Sequence, residues 1–244
     1  DGGGVGQYGG DDVARRDLDA LDPDLLGAVQ AELVEYAKTC AELKQVEVPP
    51  KERCSRAAYT RQFHIDTPVY HLNTDTEVRR LACLSNKWED SDPKKLYKWF
   101  KDAVEADDRE QLRRLVRYLK AWAAVSFDDI PDSRPSSILL TVVTTEAYKT
   151  LWPQRLLGLN DDDALVAVIK KVHDRLFDDR KVANPIDDDE VLNRISPEGW
   201  DGFLPRLAAL QDIAERADDA DDEASAALIW SEAFSFLMPL PETD

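Results

Sequence analysis

The sequence predicts an α+β protein that is mostly α, with a short strand-bearing front leading into a helical bundle. Three observations predict this class. Between Arg53 and His71 the β-forming residues Tyr59, Phe63, Ile65, Val69 and Tyr70 cluster, and Phe63-His64-Ile65-Asp66 alternates apolar with polar. After Asn86, apolar residues recur at helical spacing in one segment after another. Several of those segments open on helix-start signals such as Ser91-Asp92-Pro93 and Pro135-Ser136-Ser137.

Taken in order, the first 20 residues are rich in Gly and Asp and read as a flexible lead-in or loop. Asp22-Pro23 then opens a helix, with Asp as cap and Pro at the first helical position. Leu26, Val29, Leu33, Tyr36, Ala37 and Cys40 share one face, the helix is expected to run to about Gln45, and Pro49-Pro50 ends it. A pair of short strands follows. If Phe63 and Ile65 face a core, His64 and Asp66 share the opposite face, and Pro68 puts the segment's end near a sheet edge or bulge.

After Asn86 the chain is expected to stay helical, with the first helix starting at Ser91-Asp92-Pro93. The first helix carries Leu96, Tyr97, Trp99 and Phe100. The second opens at Asp107-Asp108 and runs to about Val125, with Leu112, Leu115, Val116, Leu119 and Ala123 at helical spacing. The third runs from Ile138 to about Lys149, and amphipathic helices are expected over 164–177, 202–217 and 223–237. There is no internal repeat and no linker between autonomous domains.

Composition narrows the function classes. The 244 residues include 43% hydrophobic residues and six Trp, enough to bury a substantial core. No apolar run approaches the roughly 20 residues that span a bilayer, and the start has no basic and apolar regions of a signal peptide. Cys40, Cys54 and Cys83 are widely spaced and odd in number, which suits thiols in a reducing cytosol. The expectation is a soluble cytoplasmic protein with no membrane partner. The formal net charge of -18 repels polyanions at long range, so bulk nucleic-acid binding is not expected. A small nucleotide arriving with Mg²⁺ is still compatible with a local basic pocket. The acidic runs Asp161–Asp163, Asp187–Glu190 and Asp218–Glu223 read as solvated loops or helix N-termini.

Few residues carry chemistry by themselves. Asp66, pointing off a strand, is the kind of carboxylate that two-metal phosphoryl transfer gathers around ions roughly 3.5–4 Å apart; a solvated aspartate is the plainer alternative. Arg113, Arg117 and Lys120 form a basic stripe at i, i+4, i+7, either a triphosphate binder or partners of nearby acidic residues. Arg134-Pro135-Ser136-Ser137 offers hydroxyls and backbone amides at a helix N-terminus, suited to a phosphate or simply to capping by Ser136. His64, His71 and His173 lack metal-ligand spacing, and no G-x-S-x-G, Walker A or G-x-G-x-x-G motif occurs.

The order of these signals carries a resemblance. Phe63-His64-Ile65-Asp66-Thr67-Pro68-Val69-Tyr70 resembles the H-I-D-x-P-x-Y strand of the cGAS/DncV-like nucleotidyltransferases. Lys87-Trp88-Glu89-Asp90-Ser91-Asp92-Pro93 with Trp99-Phe100 is similar to that family's W-x-x-S-D-P…W-F segment. Arg117-Tyr118-Leu119-Lys120-Ala121-Trp122 matches its R-x-x-K-A-W helix, and Pro135-Ser136-Ser137-Ile138-Leu139-Leu140 its P-S-S-I-x-L helix start. The similarity is good from about Arg53 to Tyr148 and weaker beyond.

The resemblance implies a two-lobed enzyme that joins NTPs into a cyclic di- or trinucleotide second messenger in anti-phage defence, with Mg²⁺ or Mn²⁺ as cofactor and ATP or GTP as substrates. By motif, Asp66 would be the third metal-binding carboxylate and the catalytic residue. Lys120 and Ser137 would hold donor triphosphate, and Ser91 would contact nucleotide at the pocket rim. Arg56 lies near a family arginine that touches nucleotide, and Asp189 corresponds to a base-reading aspartate of guanine-using members. The implied division is a partial nucleotidyltransferase core over 1–90 and a helical lobe over 91–244.

The family's first lobe carries a G-S turn and a D-x-D strand, and neither precedes Asp66; Asp17-Leu18-Asp19 has the letters without the turn. The expectation is a truncation, or a missing lobe supplied by another polypeptide, and no cyclase activity from this chain alone. The alternative is a catalytically dead helical domain that senses a nucleotide or a protein.

Overall fold

The alternation around Asp66 does form a strand, and its neighbours in sequence supply the rest of a small sheet. In the computed structural model the described residues are 27–29, 31–32, 34–35, 43–46, 51–59, 64–85 and 87–238. The chain divides into two units, Asp1–Lys94 and Lys95–Asp244.

Among its described residues the first unit holds two three-stranded antiparallel sheets. Strands β1 (Leu43–Val46), β2 (Ser55–Tyr59) and β3 (His64–Thr67) lie in that order. The β2–β3 register pairs Ser55 with Thr67, Arg56 with Asp66 and Ala57 with Ile65. Strands β4 (Tyr70–Leu72), β5 (Arg79–Ala82) and β6 (Trp88–Asp90) form the second sheet. Asn73 turns the β4–β5 connection: its buried side-chain oxygen accepts from the amides of Asp75 and Thr76, both at 3.0 Å.

Four expectations are corrected here. Residues 27–29, 31–32 and 34–35 are helical, but the helix predicted to reach Gln45 gives way to β1, because Val46, Gln45 and Leu43 pair with Ala57, Ala58 and Tyr59 on β2. Backbone pairing with a neighbouring strand overrides a helical apolar pattern. Ile65 is 46% exposed, so the apolar face of β3 is not the core face at that position. The chain also does not stay helical after Asn86: β6 follows directly, and a later hairpin joins β7 (Ala183–Asn184) to β8 (Asp187–Val191). The acidic run Asp187–Glu190 is therefore strand rather than loop or helix start. Asp17, Asp19, Pro23, Cys40 and Phe63 lie outside the described residues.

The second unit is built from helices α1 (Pro93–Asp102), α2 (Arg109–Ser126), α3 (Ser137–Lys149), α4 (Trp152–Arg155), α5 (Asp161–Asp178), α6 (Pro197–Asp218) and α7 (Glu223–Phe234). Their starts follow capping chemistry. Ser136 accepts from the Leu139 amide at 3.2 Å, Asn160 from Asp163 at 2.8 Å, Ser196 from Gly199 at 3.0 Å and Asp222 from Ser225 at 2.7 Å. Each such cap contributes about 1 kcal/mol. Ser196 with Pro197 starts α6 five residues before the predicted Gly202.

Buried residues at helical spacing fill the bundle: Leu112, Leu115 and Leu119 on α2, Val168, Val172 and Leu176 on α5, and Phe203, Leu207 and Leu210 on α6. Trp122, Phe127, Phe203 and Trp200 form a continuous aromatic cluster with successive ring centroids 5.4, 5.9 and 5.2 Å apart. Each such contact contributes about 0.5–1.5 kcal/mol beyond its buried area. Gly202 allows α6 to approach a 3-10 turn at Pro131–Ser133: a Cβ there would collide with Ser133 Oγ and stand 3.0 Å from Ile130 Cδ1. Among the described residues, no helix is long and apolar enough to cross a membrane.

Candidate functional site

The β2–β3 register sets Arg56 opposite Asp66, where cross-strand side chains meet. Arg56 Nε donates to Asp66 Oδ1 and Nη2 to Oδ2, each at 2.6 Å, closing a two-pronged fork. The Arg56 and Asp66 side chains are 25% and 39% exposed, so water moderates a contact that would be stronger if buried. Two residues singled out for separate roles, cation and nucleotide, thus share one ion pair.

This bears on metal binding. The Asp66 carboxylate is a hard oxygen donor of the type that Mg²⁺ or Mn²⁺ takes, and it fits as one ligand of such a site. Among the described residues no group of three or more His, Cys, Asp or Glu surrounds a common point to complete one. A cation reaching Asp66 also has to displace or share it with Arg56.

Ser91 sits just before α1, with its Oγ 3.4 Å from the Tyr70 hydroxyl, a long contact between β4 and the segment after β6. Beside it Asp92 starts the helix: its Oδ1 accepts from the Lys94 amide at 3.1 Å, and Arg79 lies 3.4 Å from its Oδ2. Among the described residues no shorter side-chain hydrogen bond engages the Ser91 hydroxyl.

In the second unit the basic stripe on α2 resolves into unlike residues. Arg113 is paired with Glu110, one turn earlier on the same helix. Arg117 is exposed and Lys120 only partly so, and neither forms an ion pair among the described residues. Burial pushes the Lys120 ammonium pKa down from its usual value, with no carboxylate opposing the shift. A partly buried cation without a counter-ion carries a standing cost that a bound anion would remove.

Helix α3, which packs on α2, begins at Ser137. Ser136 caps it, as the plainer sequence reading held, and uses the Leu139 amide. Ser137 itself is exposed, and its carbonyl accepts from Thr141 Oγ1 at 2.7 Å. The amides of Ser137 and Ile138 belong to the open first turn, where an anion is favoured.

Asp189 lies on β8 among exposed Asp187 and Asp188, and its amide donates to Asp187 Oδ1 at 3.2 Å. The hairpin is held from its other side: Asn184, buried, donates to Glu190 Oε2 at 2.6 Å.

Sequence reasoning missed a polar network that fixes the helices carrying Lys120 and Ser137. The buried Tyr148 on α3 donates to Gln111 Oε1 at 2.6 Å, and Gln111 donates to Asp161 Oδ1 at 3.0 Å and the Leu159 carbonyl at 2.9 Å. Arg114 forks onto Asp161, with Nη2 to Oδ1 at 2.8 Å, and holds that carboxyl below its usual pKa, opposed by burial. Arg155 stacks 4.7 Å over the Tyr148 ring and donates to Asp108 at 2.9 Å. Only helical spacing of polar residues inward of the α2 surface could have signalled it.

Comparison with known proteins agrees with this architecture. No family model matches the chain. It is 24% identical over 201 residues to a cyclic GMP-AMP synthase of Escherichia albertii, covering 82% of this chain and 42% of the relative. It is 26% identical over 207 residues to a c-di-GMP synthase of Roseivirga ehrenbergii, covering 72% and 54%. The chain thus spans about half the length of the curated relatives it matches.

Among solved structures, Vibrio cholerae DncV cyclic AMP-GMP synthase with the linear intermediate 5′ pppA(3′,5′)pG superposes with a TM-score of 0.71. The identity is 24%, covering 89% of this chain and 60% of that one. DncV with nonhydrolyzable GTP gives 0.67 at 25% identity, covering 88% and 60%. The chain therefore has the α+β, mostly α fold of DncV and is similar in sequence to cyclic nucleotide synthases of the cGAS/DncV-like nucleotidyltransferases.

Proposed function

We propose that this chain is the triphosphate-holding part of a cGAS/DncV-like nucleotidyltransferase that joins ATP or GTP into a cyclic di- or trinucleotide, acting in the cytoplasm as an anti-phage second-messenger synthase. The observation that carries the reading is Lys120: a partly buried cation on α2 without an ion-pair partner among the described residues, on the helix packed against the one Ser137 opens. A triphosphate supplies the missing counter-charge. Ser137 contributes its hydroxyl and first-turn amides, Ser91 and Arg56 contact nucleotide, and Asp189 reads a base.

Asp66 provides one oxygen ligand to Mg²⁺ or Mn²⁺, which when bound would neutralise phosphate charge and polarise the reacting phosphoryl group. The remaining carboxylates come from outside the described residues, in a lobe that precedes this segment or belongs to another polypeptide. The domain division proposed is a partial nucleotidyltransferase core over 1–90 and a helical lobe over 91–244.

These 244 residues are accordingly expected to bind NTPs without making product. The purified chain is incubated with ATP, GTP and Mg²⁺, and products are separated by anion exchange. No cyclic nucleotide is expected. A product that Asp66→Ala abolishes would overturn the incomplete-site reading. Nucleotide binding indifferent to Mg²⁺ would favour a catalytically dead sensing domain.

A further inference from the structure

Exposed apolar side chains are ordinary when scattered and informative when they cluster on a rigid support. Trp152, Leu156 and Leu157 lie within six consecutive residues and are 60%, 76% and 89% exposed. Their turn is tied down on both sides. Leu151 is buried, Arg155 donates to Asp108 at 2.9 Å, and the Leu159 carbonyl accepts from Gln111 at 2.9 Å. Gly158 turns the chain at φ +88°, a conformation that favours glycine. The two leucines are thus held out into water as a preformed knob, with little conformational freedom left to lose on docking. The rim of the knob is acidic, with Asp162 and Asp163 exposed at the start of α5.

An apolar knob with an acidic rim fits an apolar floor set among cations. Helix α1 carries four Lys and one Asp, in a chain where Asp and Glu outnumber Lys and Arg by 49 to 31. From Lys95 onward it belongs to the same unit as the knob. Trp99 and Phe100 pack inward, and the opposite face shows exposed Lys98 and Lys101 beside Tyr97, which is 59% exposed. Lys98 also pairs with Asp102 at the surface, a weak contact that an incoming carboxylate can replace. The two features adjoin. Arg109 donates to the Lys101 carbonyl at 3.0 Å, and its chain neighbour Asp108 holds Arg155 of the knob.

We propose that the partner for this face is a second copy of the chain, the knob of each copy docking on α1 of the other. Because knob and helix adjoin, one two-fold axis forms both contacts at once. Trp152, Leu156 and Leu157 meet Tyr97 and the aliphatic stems of the lysines, while Asp162 and Asp163 meet Lys98 and Lys101. Elsewhere the net charge of -18 on each copy opposes encounter, so association is weak and confined to this face. The same acidity disfavours an anionic lipid surface as the occupant. The inference stands apart from the nucleotide reading.

The test is light scattering on the 244-residue chain over a range of concentrations. The mass is expected to rise from 27.5 kDa towards twice that, with a midpoint on the order of tens of micromolar, as suits a small interface. Leu156→Ser with Leu157→Ser, both at exposed positions, should weaken association about tenfold or more while circular dichroism and melting temperature hold. Lys98→Glu with Lys101→Glu, and separately Asp162→Lys with Asp163→Lys, should each give a monomer. An equimolar mixture of those two charge variants should restore the dimer, because each rim then meets a helix of opposite charge. A chain monomeric throughout would overturn the proposal, as would a dimer indifferent to the leucine change or a mixture that fails to associate. Leucine-dependent binding of a monomeric chain to phosphatidylcholine vesicles would overturn it in favour of a lipid surface. Each of these outcomes leaves nucleotide binding through Lys120 untouched.

Discussion

Arg56 and Asp66, ten residues apart in sequence, face each other across the β2–β3 ladder and share two hydrogen bonds of 2.6 Å. The pair is partly exposed, so its contribution to folding is small. Replacing Asp66 by Asn is expected to lower stability by no more than about 1 kcal/mol, as urea unfolding would show. A loss of several kcal/mol would mean that the pair organises the sheet rather than a binding site.

Lys120 leads to a trade-off between stability and binding. Lys120→Met keeps the aliphatic length and removes a partly buried charge that has no counter-ion among the described residues, so it should stabilise the chain by about 0.5–1 kcal/mol. The same change should weaken GTP or ATP binding tenfold or more, because a charge-assisted bond to phosphate contributes about 1.5–3 kcal/mol. Thermal unfolding and calorimetry on one variant test both halves. A Lys120 that serves only as a surface residue would change neither.

The depressed Lys120 pKa also gives a pH dependence with a definite sign. A folded-state pKa below the ordinary 10.5 favours the neutral amine in the folded chain. The associated stability is fully present above 10.5 and is lost as pH falls through the depressed value. Triphosphate binding needs the ammonium, so affinity should fall as pH rises through that same value. Lys120→Arg keeps its charge throughout, and its affinity should therefore hold in the alkaline range where the unaltered chain loses it.

On the acid side the relevant group is Asp161. Its pKa is held below 3.8 first by the Arg114 hydrogen bond, so its contribution to stability is present above 3.8 and lost as pH falls through the lowered value. Asp161→Asn should cost about 1–2 kcal/mol at neutral pH. The difference from the unaltered chain should shrink below pH 3.8, as denaturant curves at several pH values would reveal.

Gly202 tests the packing of α6. Alanine there meets Ser133 and Ile130, and the overpacking should cost about 1–3 kcal/mol. Pairing Gly202→Ala with Ser133→Ala should recover part of that loss if the close approach is its cause.

The helices were far more legible in the sequence than the sheets. For α2 the expected span of Asp108 to about Val125 compares with Arg109–Ser126, because six buried positions at helical spacing leave no second pattern to choose. Strand β5 hid behind Arg79 and Arg80: a charged start conceals a strand whose Arg80 is matched across the ladder by Asp90 at 2.9 Å. Strand β1 carried apolar residues that fit a helix equally well, and only the partner strand decided. Among the candidate residues, Asp66, Lys120 and Ser137 could each be singled out from local motifs, and Arg56 from its place near a family arginine. That Arg56 closes on Asp66 depends on register, and the Tyr148–Gln111–Asp161 network joins residues 37 and 50 positions apart. Neither relationship is written in local spacing.

The most direct test of the central claim is calorimetric titration of the chain with GTP and ATP, with and without Mg²⁺, beside Lys120→Ala. The account predicts binding that Mg²⁺ strengthens and that Lys120→Ala weakens tenfold or more. Binding of equal strength in Lys120→Ala, or no binding of either nucleotide, would contradict it.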